Sequence, residues 1–189
     1  MSDDLGQWPA EPPTYGDIRL RGFEDRDVKM VMDMATDRHI PKIGTLPFRA
    51  SRQEALAYIA RQRGRLAEGK GYSFCVADRR DDTALGGVGL WLADIDAGRA
   101  TAGWGIAPRA RGHRVASQAL IAMLGFAWTL PPVHRIEAYI EPWNVASIRT
   151  AERAGFTYEG LLRSHQEVGG QRVDMQLYAV VRPRPDGGA

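Results

Sequence analysis

The chain has 189 residues, 44% of them hydrophobic and 25% charged, which suits one globular domain of ordinary size with a full core. Lys and Arg number 25 against 23 Asp and Glu, and the net charge of +2 is too small a surplus to imply a nucleic-acid partner. Cys75 is the single cysteine, so no intrachain disulfide and no cysteine metal cluster can form.

The N-terminus, Met1-Ser2-Asp3-Asp4, is acidic and lacks the apolar segment of a secretory signal. No apolar run has the length of a membrane span, so the expected setting is the cytoplasm with no membrane partner. His39, His113, His134 and His165 are scattered without metal-ligand spacing, and no metal site is expected. Residues 1–16 carry Pro9, Pro12 and Pro13 and read as an irregular arm. Residues 17–182 read as a single domain, and 183–189 as a disordered tail.

Asp17 to Phe23 alternates polar and apolar residues, the pattern of a first strand. Glu24 to Ala35 follows with Val28, Val31, Met32 and Ala35 at helical spacing. Thr36 to Ala50, with Pro41, Gly44 and Pro47, reads as a long loop, and loops of that length in a compact domain are often functional. Ser51 and Glu54 form a capping box that starts a helix running to about Glu68. Tyr72 to Asp78 is a second strand, in which Cys75 is a buried inert thiol. Leu85 to Leu92 is a third, whose glycines suggest a bend or a close approach. Arg99 to Ala107 is a fourth.

Val115 to Trp128 is a helix that is apolar around most of its circumference, so it should be the buried central helix. His134 to Ile140 is a fifth strand. Asn144 caps a short helix to about Ala154, and Gly155 is placed as its left-handed C-terminal cap. Phe156 to Leu161 and Val173 to Val181 complete the strands. The order β-α-α-β-β-β-α-β-α-β-β predicts an α/β fold: a mixed, mostly antiparallel seven-stranded sheet with helices on both faces.

The most informative stretch is Gly103 to Leu120. Gly103-Trp104-Gly105-Ile106-Ala107 is a strand that Pro108 stops. Arg109-Ala110-Arg111-Gly112-His113-Arg114 is a cationic turn around one glycine, and Val115-Ala116-Ser117 opens a helix. Helix-start N–H groups have no backbone partner, the helix dipole adds positive potential, and the arginines add charge. Together they make an anion site. The plainer reading is a solvated surface turn.

This stretch resembles the acetyl-coenzyme A pyrophosphate loop of the GNAT superfamily of N-acetyltransferases, with Arg109, Arg111, Gly112 and Val115-Ala116-Ser117 matching position by position. Arg114 departs, standing where that family usually has Gly or Ala. The resemblance implies acetyl-CoA as co-substrate, held by Trp104, Gly105, Ile106, Arg109, Arg111, Gly112, His113, Arg114, Val115, Ala116 and Ser117. A second segment, running from Asn144 and Ser147 through Arg153, Gly155 and Phe156 to Glu159-Gly160, resembles the closing motif of the RimJ/RimL-type branch, whose named members acetylate protein N-termini.

The resemblance places Asn144 and Ser147 near the pantetheine and thiol. Many relatives carry a tyrosine there as proton donor to the departing thiolate; the matching residue is Ala151, so Ser147 becomes the candidate donor. Candidate bases are Glu137 and Glu141, in and just after the fifth strand, although Glu137 alternates with Ile136 and Ala138 and also suits a solvent-facing position. Thr101 stands where relatives often carry an acid. Deprotonating an α-amine at pH 7 costs only about 1 kcal/mol, against about 4.6 kcal/mol for a lysine. A sequence with few bases therefore suits a low-pKa amine.

The implied reaction is direct attack of a primary amine, from a protein N-terminus or a small molecule, on the thioester. The acceptor site is expected between the 36–50 loop and an Arg163–Arg172 turn, with Trp91, Trp104, Tyr139 and Trp143 as candidate walls. Alternatives are a longer donor such as succinyl-CoA, or a non-catalytic coenzyme A-binding module. The protein is expected as a monomer or a homodimer.

Overall fold

The computed structural model describes residues 6–183, and the rest of the tail read as disordered lies outside them. The strands are β1 (Thr14–Tyr15), β2 (Ile18–Arg21), β3 (Gly71–Asp78), β4 (Ala84–Trp91), β5 (Arg99–Ile106), β6 (Arg135–Ile140), β7 (Thr157–Val168) and β8 (Gln171–Val181). The helices are α1 (Val28–Met34), α2 (Ile40–Ile43), α3 (Arg52–Gly64), α4 (Val115–Ala127) and α5 (Val145–Arg153). One sheet runs in the order β1-β2-β3-β4-β5-β6-β8-β7. Every pairing is antiparallel except β5 with β6.

The sheet thus has eight strands rather than the seven expected. The extra one lies inside the stretch read as an irregular arm, where Thr14 pairs with Arg19 and Tyr15 with Ile18. Two residues are too few to give an alternating pattern, so nothing in the sequence marks them.

Helices cover both faces, and β3 shows why. Tyr72, Phe74 and Val76 join the core under α4, while Cys75 joins a second core with Val28, Val31 and Ile59 of α1 and α3. Ser73 points the same way as Cys75 and donates to Gln62 of α3 at 3.0 Å. A strand buried on both faces reads as a continuous apolar run instead of an alternating one. Burial also raises the Cys75 pKa, so the thiol stays protonated and inert. Nine of the 13 residues of α4 are buried, including Leu120, Met123 and Phe126. Phe126 meets Tyr72 and Phe74 edge-on, with ring centroids 4.8 and 5.5 Å apart. Burying side chains of that size stabilises by roughly 1.5–3 kcal/mol each.

Three local departures shape the site. The helix expected from Glu24 begins as a tight turn, Asp25–Asp27, because the Asp27 carboxylate folds back to accept the Glu24 N–H at 2.8 Å and two bonds from Arg21. The 36–50 loop contains the single turn α2: Asp37 Oδ1 accepts the N–H groups of His39 at 2.7 Å and Ile40 at 2.9 Å, and Pro41 sits in the first turn, where its missing N–H is harmless. The Arg163–Arg172 turn is mostly strand. β7 and β8 run on to a two-residue turn at Gly169-Gly170, both with positive φ, as a tight hairpin needs. Between Leu162 and Gln166 the β7 register shifts in a bulge. Asp174 accepts the Ser164 N–H there at 2.7 Å, and Arg172 donates to the carbonyls of Ser164 and His165.

Candidate active site

The site begins with a split in the sheet. β5 and β6 pair only at Arg99 with Arg135, Ala100 with Ile136, and Thr101 with Glu137. Both strands continue, β5 to Ile106 and β6 to Ile140, but without further rungs between them. The backbone of β5 from Ala102 onward therefore faces an opening instead of a neighbouring strand. Gly105 lets the first-face helices close over this part of β5: a Cβ there would lie 3.1 Å from Met34 Cε and 3.5 Å from Ile40 Cδ1.

Two cavities meet across the split. A cleft of about 610 Å³ lies on one side and a pocket of about 250 Å³ on the other, and His39, Ile43, Trp104, Asn144 and Ser147 line both. They are two ends of one passage through the sheet.

The larger cleft has the make-up of an anion site, with cations and open N–H groups along one wall. Arg111, Gly112, Arg114, Val115, Ala116 and Ser117 line it along one side, with Trp104, Gly105 and Ile106. The N–H groups of residues 112–117 have no hydrogen-bond partner among the described residues. Arg114 is the N-cap of α4 and has no side-chain oxygen to satisfy them. Its backbone is left-handed, φ 58° and ψ 17°, the conformation in which glycine carries no penalty, and its side chain is exposed at the cleft. Arg111 is fixed in place, with Nε donating to Ile106 O at 3.0 Å and Nη2 to Asp37 Oδ2 at 2.7 Å. Burial works against ionisation of Asp37, but bonds from Ile40 N–H, Arg111 and His39 N–H hold its carboxyl below the usual range.

Arg149 and Arg153 add two more cations from α5. They were not among the sequence candidates, although Ala146, Arg149, Thr150 and Arg153 share one face at helical spacing. The structure does not bring Arg109 and His113 into the cleft lining. The Arg109 side chain is 91% exposed, and its N–H is held by Asp33 Oδ2 at 3.1 Å.

The smaller pocket is built from both sides of the split, β4 and β5 on one and β6 to β8 on the other, and from α2. His39, Ile43, Trp91, Thr101, Tyr139, Glu141, Gln166 and Met175 line it. Glu141 is 8% exposed. Its Oε1 accepts the indole N–H of Trp143 at 3.1 Å. Its Oε2 lies 3.2 Å from His39 Nε2, an ion pair whenever that imidazole is protonated, and has no hydrogen-bond partner among the described residues. A buried carboxylate oxygen left open in this way is costly unless a ligand donor completes it. The His39 ring stands edge-on to Trp143, 4.8 Å between centroids.

Glu137 lines neither cavity. It is buried, so the solvent-facing reading fails. It accepts Arg135 Nε and the Tyr139 hydroxyl, each at 2.7 Å. Burial opposes its ionisation, and these two donors outweigh it and lower its pKa. Tyr139 in turn is pushed up to about 12 by burial and by the neighbouring carboxylate, so its hydroxyl stays protonated. Glu137 thus supports the pocket wall through Tyr139, whose other neighbour is the His165 ring, stacked 4.8 Å away from the β7 bulge.

Asn144 and Ser147 sit where the two cavities join. Asn144 Oδ1 accepts the Ser147 N–H at 3.1 Å and so caps α5, while the Ser147 hydroxyl makes no hydrogen bond among the described residues. Gly155 ends α5 with φ 91°, in the left-handed region. His39 is the residue that sequence reasoning missed most completely, because 102 positions separate it from Glu141 and no spacing rule links them. Among the described residues no cluster of His, Cys, Asp and Glu could hold a metal, and no helix is long and apolar enough to cross a membrane.

Residues 17–157 match the family model described as "Acetyltransferase (GNAT) domain". The chain is 25% identical over 165 residues to the uncharacterized N-acetyltransferase p20 of Bacillus licheniformis, covering 87% of this chain and 93% of that one. Its fold is similar to that of a putative ribosomal-protein-serine acetyltransferase from Vibrio cholerae, with a TM-score of 0.78 and 21% identity over 93% of this chain and 99% of the other. It is also similar to Mycobacterium smegmatis RimJ in complex with CoA-disulfide, with a TM-score of 0.76 and 24% identity over 90% and 88% of the two chains. A family model spanning most of the chain, on a fold split where an anion cleft meets an acid-bearing pocket, leads to one assignment: the protein belongs to the GNAT family of N-acetyltransferases.

Proposed function

We propose that the protein transfers the acetyl group of acetyl-CoA to a primary amine by direct attack on the thioester. The observation that carries this reading is the passage through the sheet, with cations and open N–H groups at one end and the open Glu141 oxygen at the other. Acetyl-CoA supplies the activated acyl group. Arg111, Arg114, Arg149 and Arg153, with the open N–H groups at the start of α4, would hold its phosphates. The strand edge at Trp104–Ile106 would receive the pantetheine arm, and its free backbone groups would polarise the carbonyl under attack.

Glu141 is the base in this reading. Its Oε2 takes a proton from the incoming ammonium, which frees the nitrogen lone pair for attack on the thioester carbon. Ser147, untied and lining both cavities, gives its hydroxyl proton to the sulfur as the C–S bond breaks, and recovers one from the nitrogen, which sheds its second proton as the amide forms. Glu137 is too well satisfied by Arg135 and Tyr139 to act as a base, and has a positioning role.

The test is thiol release from acetyl-CoA with N-terminal peptides and small amines, in wild type, Arg111→Ala and Ser147→Ala. Turnover that Arg111→Ala weakens through the donor KM, and Ser147→Ala through kcat, supports both roles. Tight donor binding with no turnover of any amine makes the chain a binding module, and turnover only with succinyl-CoA changes the donor.

A further inference from the structure

The chemistry of the smaller pocket narrows the acceptor. We infer that it takes a primary amine with a single positive charge and an apolar or aromatic flank, and that it rejects polycations; the inference rests on the acetyltransferase reading above. Among the residues that line the pocket, Glu141 is the only carboxylate, and it has one open oxygen. One ammonium can be paired there. A second would be taken from water without a counter-ion, which costs several kcal/mol.

No second acid lines the pocket to pair it. Glu137, earlier on β6, is already bonded to Arg135 and to the Tyr139 hydroxyl. Thr101, Gln166, Asn144 and Ser147 supply neutral groups only. Aromatic faces attract cations, but by only about 0.5–2 kcal/mol, less than the burial cost. Two of these rings are also engaged: Arg65 lies over Trp91, 5.6 Å from its centroid, and His165 stacks on Tyr139.

The remaining walls, Ile43, Ile140 and Met175 with Trp91 and Trp104, favour an apolar group beside the amine. At about 250 Å³ the pocket is smaller than the ~300–1,000 Å³ that enclose drug-sized ligands. It fits one side chain rather than a multi-ring aminoglycoside.

The test compares phenethylamine, spermidine and kanamycin as acceptors with acetyl-CoA, in wild type and in Gln166→Glu. Gln166 lines the pocket from the β7 bulge, and the near-isosteric change adds a second carboxylate without touching the donor cleft. The expected result is a wild-type kcat/KM at least tenfold higher for phenethylamine than for either polycation. Gln166→Glu should narrow the gap to spermidine at least fivefold, with coenzyme A affinity unchanged by calorimetry. A preference for spermidine or kanamycin overturns the inference. So does an unchanged ratio in Gln166→Glu, or a wild type that binds coenzyme A but does not turn over phenethylamine. Failure to bind coenzyme A removes the donor reading itself and the inference with it, and calorimetry separates that case from the others.

Discussion

The two ends of the passage are built in opposite ways. The proposed donor cleft draws its N–H groups, its glycines and two of its arginines from one continuous run, Trp104 to Ser117, and borrows a face of α5 and the α2 turn with Asp37. The proposed acceptor pocket takes its residues from α2, β4, β5, β6, the start of α5 and the β7–β8 hairpin. An anion can be recognised by local backbone geometry, because a strand end, a turn and a helix start carry the donors themselves. An amine needs a carboxylate in an apolar wall, and that requires side chains to converge from distant segments. The first kind of site is written along the chain, whereas the second exists only after folding.

Separate sites should fail separately. The largest effect is expected from Glu141→Gln, which should lower kcat about 10²- to 10⁴-fold while coenzyme A binding by calorimetry stays as in wild type. Equal losses in both would mean that the two ends are one unit. Arg111→Ala comes next. Losing charge-assisted bonds to phosphate should weaken donor binding roughly 10- to 150-fold, with kcat at saturating donor changed far less.

A stability control comes third. Asp82 lines neither cavity and binds Arg19, Arg21 and Arg26. Although burial opposes ionisation, those guanidiniums lower its carboxyl to about 2 from an ordinary 3.8. A lowered acid stabilises the fold above its unfolded pKa and loses that contribution as pH falls toward the folded value. Asp82→Asn should cost about 1–2 kcal/mol at pH 7, and its Tm gap to wild type should close between about pH 4 and pH 2. Donor affinity and kcat at 25 °C should not move; if they do, the losses above measure stability rather than chemistry.

The smallest effect is Arg114→Gly, which should act in two directions. Relief of the left-handed backbone should raise stability by about 0.5–1 kcal/mol, while loss of the cation should weaken donor binding about two- to fivefold. A gain in affinity would show that backbone geometry, not charge, limits the cleft.

The legibility of the sequence follows the same division. Seven strands and the helix α4 were readable because period-2 patterns, a long Ala- and Leu-rich run and Gly-Pro stops are local signals. The strand Thr14–Tyr15 was too short for any period, and α2 was hidden in a loop because it is one turn of 4 residues whose N-cap, His39, is not a capping residue type. Ser147 and Asn144 were singled out by resemblance to a family motif, and Glu141 as an acid just beyond a strand; all three line the cavities. His39 had no signal at all, and Glu137 gave a misleading one. Its alternation with Ile136 and Ala138 pointed away from the core face, but there the Arg135 and Tyr139 side chains bond to it and it is buried.

The strand order also bears on how the chain assembles. β1 to β5 come from residues 14–106 and β6 to β8 from 135–181, and only three residue pairs join the two blocks. During synthesis the first block can close its ladders before the second has emerged, which leaves the far edge of β5 open for a time. An open strand edge is a template for foreign strands. This one ends in Gly103-Trp104-Gly105, and glycine is poorly suited to pairing as a strand. The glycines beside the split of the mature sheet thus also guard the nascent chain against aggregation at the edge where its own partner arrives last.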